Sequence, residues 1–247
     1  MPHVPRVPRI DMPRVPRIDG RQLRWENHNE ERRQQVLQAA VDLLEEHPSG
    51  TELHVQQIAE RAGLVRTVVY RLFKSRADLN RAVQLHVVGM VRSELNATLE
   101  LSGSTDQIVR SIVGSYVEWV GAHPQLHDMA ERELGDGQPG ELDRAIDELS
   151  RDLTTLLSAA SSLFGTVLDD DQTAMLELLV VGLIGQVRGS VNQWVRRPVR
   201  TLSTRALTAQ LSRWIWFQID GQARELGVVI DPTVPLDQLA VSPSPDK

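Results

Sequence analysis

The chain has 247 residues, a net charge of −6 at pH 7 and no cysteine. Its length allows one large domain or two, since domains usually run to about 100–200 residues. The missing cysteine excludes disulfides, thiolate metal sites and a cysteine redox sensor. No apolar run approaches the roughly 18–20 uncharged residues that span a bilayer, and the first residues lack a signal-peptide core. A soluble, cytoplasmic protein without a membrane partner is expected.

Charge is unevenly spread. Residues 1–80 carry 13 Lys and Arg against 11 Asp and Glu, whereas residues 81–247 carry 14 against 22. A basic head on an acidic body suits contact with phosphates at one end of the molecule.

The chain opens with a short repeat, PRVPRID, at Pro5–Asp11 and again at Pro13–Asp19. Proline at this density forbids a helix and favours extended backbone. Residues 1–27 therefore read as an extended basic arm. Either it is a solvated tail or it reaches a DNA minor groove, with Arg21 and Arg24 the best placed to do so.

From Glu30 the pattern becomes helical, with Val36, Leu37, Ala40, Leu43 and Leu44 on one face. A short helix through Val55, Ile58, Ala59 and Ala62 ends at Gly63, and another follows at about Arg66–Phe73. Ser75 is placed to cap a long fourth helix through Leu79, Val83, Val87, Met90 and Leu95. Further helices are expected at about 104–122, 124–133, 140–164, 170–196 and 203–226, with the acidic Asp169–Asp171 opening one of them. The last 20 residues, with four prolines, read as a loose tail. The fold is all-α: residues 28–75 form a three-helix helix-turn-helix domain, 76–228 a larger helical domain, and 229–247 the tail.

The informative stretch is Val55–Phe73, VQQIAERAGLVRTVVYRLF. A helix, a tight glycine turn and a second helix are the geometry whose second member enters a major groove. On that helix Val69, Leu72 and Phe73 can face inward while Arg66, Thr67, Tyr70 and Arg71 face outward. Arg66 suits guanine O6 and N7, and Thr67 offers a hydroxyl or methyl group to a base edge. Tyr70 and Lys74 suit phosphates, which position rather than specify. Gln56 and Arg76, on the flanking helices, complete the candidate DNA contacts.

The runs VLQAAVDLLEEHPSG, VQQIAERAGL and VVYRLFKSRADL resemble, in order, the N-terminal domain of the TetR family of bacterial transcriptional regulators. The resemblance covers about Glu31 to Ala82. It includes the Tyr-x-x-Phe near the end of the third helix, here Tyr70 to Phe73, and the Ser and basic residue that open the fourth, Ser75 and Arg76. The chain departs from the family at His54 and Val65, where Ser or Thr often caps the second and third helices. The resemblance implies a homodimeric repressor on a palindromic double-stranded DNA operator, released by a small-molecule effector. A protein of the same fold without an effector is the alternative, and a helical enzyme or ligand carrier a more distant one.

The resemblance further implies that the two last long helices pair with their copies. Leu176, Leu183, Val187, Val191, Leu211 and Trp214 are the expected interface, and Gly182, Gly185 and Gly189 imply close approach of another helix. The effector is expected among the middle helices, near His86, Met90, Tyr116, Trp119, Met129, Gln186, Arg188 and Asn192. Arg188 would hold an acidic effector or pair with a carboxylate across the dimer. His123 and His127 have metal-ligand spacing, but Pro124 divides them, so no metal and no cofactor are expected. No GxSxG, P-loop, GxGxxG or HExxH motif is present, and an enzyme is not expected.

Overall fold

The computed structural model describes residues 20–98, 103–133, 140–163, 165–235 and 238, the side chains of 20–27, 98 and 163 excepted. Within them the chain forms helices and no strand; its sole β-bridge joins Ser104 to Pro235. The helices are α1 (Gly20–Glu46), α2 (Val55–Arg61), α3 (Arg66–Leu72), α4 (Arg76–Thr98), α5 (Thr105–Ala122), α6 (Pro124–Ala130), α7 (Glu141–Leu163), α8 (Asp170–Val195) and α9 (Thr204–Glu225).

Local chemistry explains most boundaries. The Ser75 hydroxyl accepts from the Asp78 N–H at 3.1 Å at the start of α4, as its position predicts. Asp169 and Gln172 form a reciprocal capping box at the start of α8. Ser104 and Gln107 do the same for α5, and the Ser203 hydroxyl caps α9.

Two expectations about the ends need correction. Helix α1 begins at Gly20 rather than near Glu30. Arg21 and Arg24 therefore stand on helical backbone, and an extended arm would end before residue 20. Near the other terminus, residues 229–235 are tied down: the Asp106 N–H donates to the Pro232 carbonyl at 3.1 Å. Together with the Ser104–Pro235 bridge, this straps the segment across the start of α5.

One core runs through both parts of the molecule. Val36, Ala40 and Val41 of α1 meet Ile58, Ala59, Val69 and Phe73, and the apolar cluster continues along α4 through Leu79, Val83 and Val87. Fully burying one such side chain is worth about 1.5–3 kcal/mol. Helix α4 thus couples the small N-terminal domain to the larger one by shared packing. In the larger domain α5 packs chiefly on α9, α7 on α8 and α4 on α5. Gly114 and Gly121 bring α5 close, the latter within 3.4 Å of the Trp194 ring as judged from where a Cβ would stand.

Candidate nucleic-acid interface

The α2–α3 turn is built from Ala62 to Val65. Gly63 takes φ +66°, a left-handed backbone that favours glycine. Its N–H donates to the Glu60 carbonyl, and that of Leu64 reaches back to Ala59 at 2.9 Å. Ala59 is fully buried, so the two helices close on a residue without bulk. Val69 and Phe73 anchor α3 in the core. Arg33 of α1 covers the Phe73 ring at 4.4 Å and donates to the Leu72 carbonyl.

This anchoring leaves Arg66, Thr67, Tyr70, Arg71 and Lys74 exposed on the outer side. The sequence from Ala62 to Lys74 contains three cations and no carboxylate. Arg66 lies over the Tyr70 ring at 5.3 Å, and its guanidinium donates to the Tyr70 hydroxyl at 3.3 Å. The side chains of Arg71 and Lys74 meet no carboxylate among the described residues. A concentrated, unneutralised cationic face on a projecting helix can accept phosphates and base edges.

Other candidates are arranged differently. Arg76 donates to the Leu53 carbonyl at 2.5 Å and pairs with Glu52 at 3.0 Å. Its guanidinium ties α4 to the segment before α2, a structural duty the residue type does not announce. Gln56 is exposed but bonded to Glu60. Val65, which has no oxygen to cap with, stands at the start of α3 without a side-chain cap. The N–H of His54 is taken up by the Gln57 side chain at 2.8 Å.

The expected effector residues fall into separate groups. Tyr116, Met129 and Arg188 gather around α6. The Arg188 guanidinium donates to both Glu131 oxygens, at 2.8 and 2.9 Å, so its carboxylate partner lies in the same chain. His127 Nε2 stands 3.3 Å from the Tyr116 hydroxyl and 3.8 Å from Glu131. Burial lowers the His127 pKa, the Glu131 carboxylate opposing it in part. Burial likewise raises that of the Tyr116 hydroxyl. Gln84, absent from the expected set and almost wholly buried, donates to the Ala130 and Arg132 carbonyls at 3.0 and 2.8 Å. A lone polar residue in the apolar stripe of α4 was the available signal.

Trp119 is buried against His123, and Met90 lines the core from α4. Asn192 keeps a buried Oδ1 without a partner among the described residues. His86 borders a shallow surface groove with Glu30, Glu31, Gln34, Gln35 and Gln38, and Gln186 bonds to Gln218 between α8 and α9. These two do not join the others. His123 bonds Glu45 at 2.5 Å while His127 turns to Tyr116, so the two imidazoles face different partners.

The expected dimer residues divide between buried and exposed positions. Val191 and Leu211 are fully buried within the chain, and Leu176 and Leu183 nearly so. Trp214 stays exposed, as an interface residue would, and so do Met175, Leu178 and Val181 of α8 and Phe217 of α9. Val187 is half-buried between the two sides. A Cβ added at Gly182, Gly185 or Gly189 would meet nothing within 4 Å, so among the described residues no helix makes the close approach these glycines suggest. Helix α8 is long and apolar enough to cross a membrane by composition alone; its apolar load is divided between this open face and the core.

A glycine-turned helix pair with a cationic second member, set on a larger helical domain, is the architecture of a helix-turn-helix transcription regulator. The chain has the fold of TetR-family transcriptional regulators. A TetR-family transcriptional regulator from Streptomyces coelicolor superposes with a TM-score of 0.62 at 21% identity, covering 80% of this chain and 86% of that one. FadR from Bacillus subtilis, solved in complex with stearoyl-CoA, gives 0.53 at 16% identity over 74% and 96%. An uncharacterized HTH-type transcriptional regulator of Mycobacterium tuberculosis is 31% identical over 122 residues. That match covers 49% of each chain, so this chain spans about half the length of that relative. No protein-family model matches the sequence.

Proposed function

We propose that this chain is a homodimeric transcriptional repressor that binds a palindromic operator through α3 and is released by a small-molecule effector. The observation that carries the DNA-binding reading is the carboxylate-free outer face of α3, where Arg66, Thr67, Tyr70, Arg71 and Lys74 stand exposed on a helix locked by Val69 and Phe73. The arginines of residues 1–19 add further charge for phosphates, as do Arg21 and Arg24 on the first turns of α1. Repression follows most simply from occupancy of a promoter in the cytoplasm.

The homodimer is supported by the open apolar face of α8 and α9. Leu178 is 73% exposed and Phe217 62%, and both flank helix surface kept bare by glycine. An apolar face of this kind is stable in water when covered, and a two-fold copy would set two α3 helices for two half-sites.

The effector reading rests on α6. This short helix is held to α1 through His123 and Glu45, to α4 through Gln84, to α5 through Tyr116 and to α8 through Arg188. The buried acceptors Gln84 Oε1 and Asn192 Oδ1 lack partners among the described residues and suit donors on a ligand. The FadR structure supports an effector with a long apolar body. A ligand that rearranges α6 would shift α4, and with it α3, by an energy set by its differential affinity for the two states.

The test is selection from a random duplex library, followed by titration of the recovered duplexes against salt. Enrichment of a palindrome with half-sites about one helical turn apart is expected. Recovery of no duplex above background overturns the regulator reading.

A further inference from the structure

We propose that Val65 reads the C5-methyl group of a thymine in the major groove, giving α3 an apolar element of sequence discrimination beside Arg66. The inference rests on the DNA-binding reading above and deepens it by one specificity-determining residue.

Val65 is 66% exposed, and with Tyr70 it makes up the large exposed apolar side chains recorded within residues 28–75. Both border the same outer surface, next to Arg66, Thr67 and Arg71. Neither the core of the small domain nor α3 itself uses the Val65 side chain: Val69 and Phe73 supply the buried anchors, and the valine carbonyl alone enters the helix, accepting from the Val68 N–H at 2.9 Å. The position is one where a hydroxyl would stabilise the helix by capping its first N–H groups, and valine supplies none. The chain thus forgoes a favourable local interaction and exposes two methyl groups in a cationic surface.

That combination matches one chemical feature of DNA. The thymine methyl is the apolar group a base pair presents in the major groove, and it is read by apolar contact. The first residues of a reading helix are those that reach base edges. Burying two methyl groups against one another there removes both from water and leaves no polar group unpaired, whereas a cytosine at the same place offers an amine with no acceptor.

The experiment uses the full chain and the duplex recovered by selection, with each thymine of one half-site replaced in turn by deoxyuracil, which lacks only the methyl group. Wild type should lose affinity about fourfold at one position, the worth of one buried methyl group; V65S should bind the thymine and deoxyuracil duplexes alike, and V65A, which keeps one methyl group, should show a smaller penalty than wild type. V65S gains a capping oxygen, so its stability against heat should equal or exceed that of wild type, and the lost discrimination cannot be laid to misfolding. A wild type indifferent to every methyl group, or variants that keep the same penalty, overturns the assignment while the regulator reading stands. Failure to recover any duplex sinks that reading and this inference with it.

Discussion

The Arg188 guanidinium and the Glu131 carboxylate meet fork to fork, at 2.8 and 2.9 Å, and so fasten the middle of α8 to the residue that ends α6. Glu131 is mostly buried and Arg188 about one third exposed, so the pair is partly shielded from water. The two hydrogen bonds from the guanidinium fix a direction as well as a charge.

Replacing Glu131 by Gln should lower stability by about 1–3 kcal/mol, because it leaves the Arg188 charge half-buried and poorly matched. The Glu131→Gln, Arg188→Met double variant should recover much of that loss. Thermal unfolding of both variants checks this. A single variant as stable as wild type would show that the pair fixes geometry without contributing net stability.

His127 predicts a pH dependence. Burial, opposed in part by Glu131, holds its imidazole below the ordinary value of 6.5. As pH falls through that value the unfolded chain takes up a proton that the folded chain refuses, so stability must fall across the window down to the depressed folded pKa. Between about pH 7 and pH 5 the unfolding midpoint should decline less steeply in His127→Gln than in wild type. Parallel declines would assign the dependence to other groups.

Arg66 is expected to read a base, since Tyr70, its partner among the described residues, orients the guanidinium without neutralising it. Arg66→Ala should cost about 1–3 kcal/mol at one base position and relax discrimination there. An equal loss on all sequences, with a shallower salt dependence, would place Arg66 on a phosphate instead.

Leu178→Glu puts a charge on the open face of α8 without entering the core, since the side chain is largely exposed. Sedimentation should show a monomer with unchanged helix content, and affinity for a palindrome should fall by an order of magnitude or more as two linked contacts become separate. A variant that remains a dimer would move the interface elsewhere.

Much of this was legible in the residues themselves. Helix spacing, the glycine at 63, and the capping residues Ser75 and Asp169 act over three or four positions, and such local chemistry survives reading one residue at a time. The outward cations of α3 follow from the same periodicity, once Val69 and Phe73 are known to point inward. What the sequence could not determine was phase and partnership. Helix α8 is apolar around most of its circumference, so composition does not distinguish the side that packs on α7 from the side left open; packing sent Val191 inward and Leu178 outward. Arg188, Arg76 and Arg33 are alike as residues, yet Glu131, the Leu53 carbonyl and the Phe73 ring claim them from 57, 23 and 40 positions away. Those pairings depend on which helix ends meet in space, and only the tertiary structure, by closing one core across α1, α4 and α6, decides that.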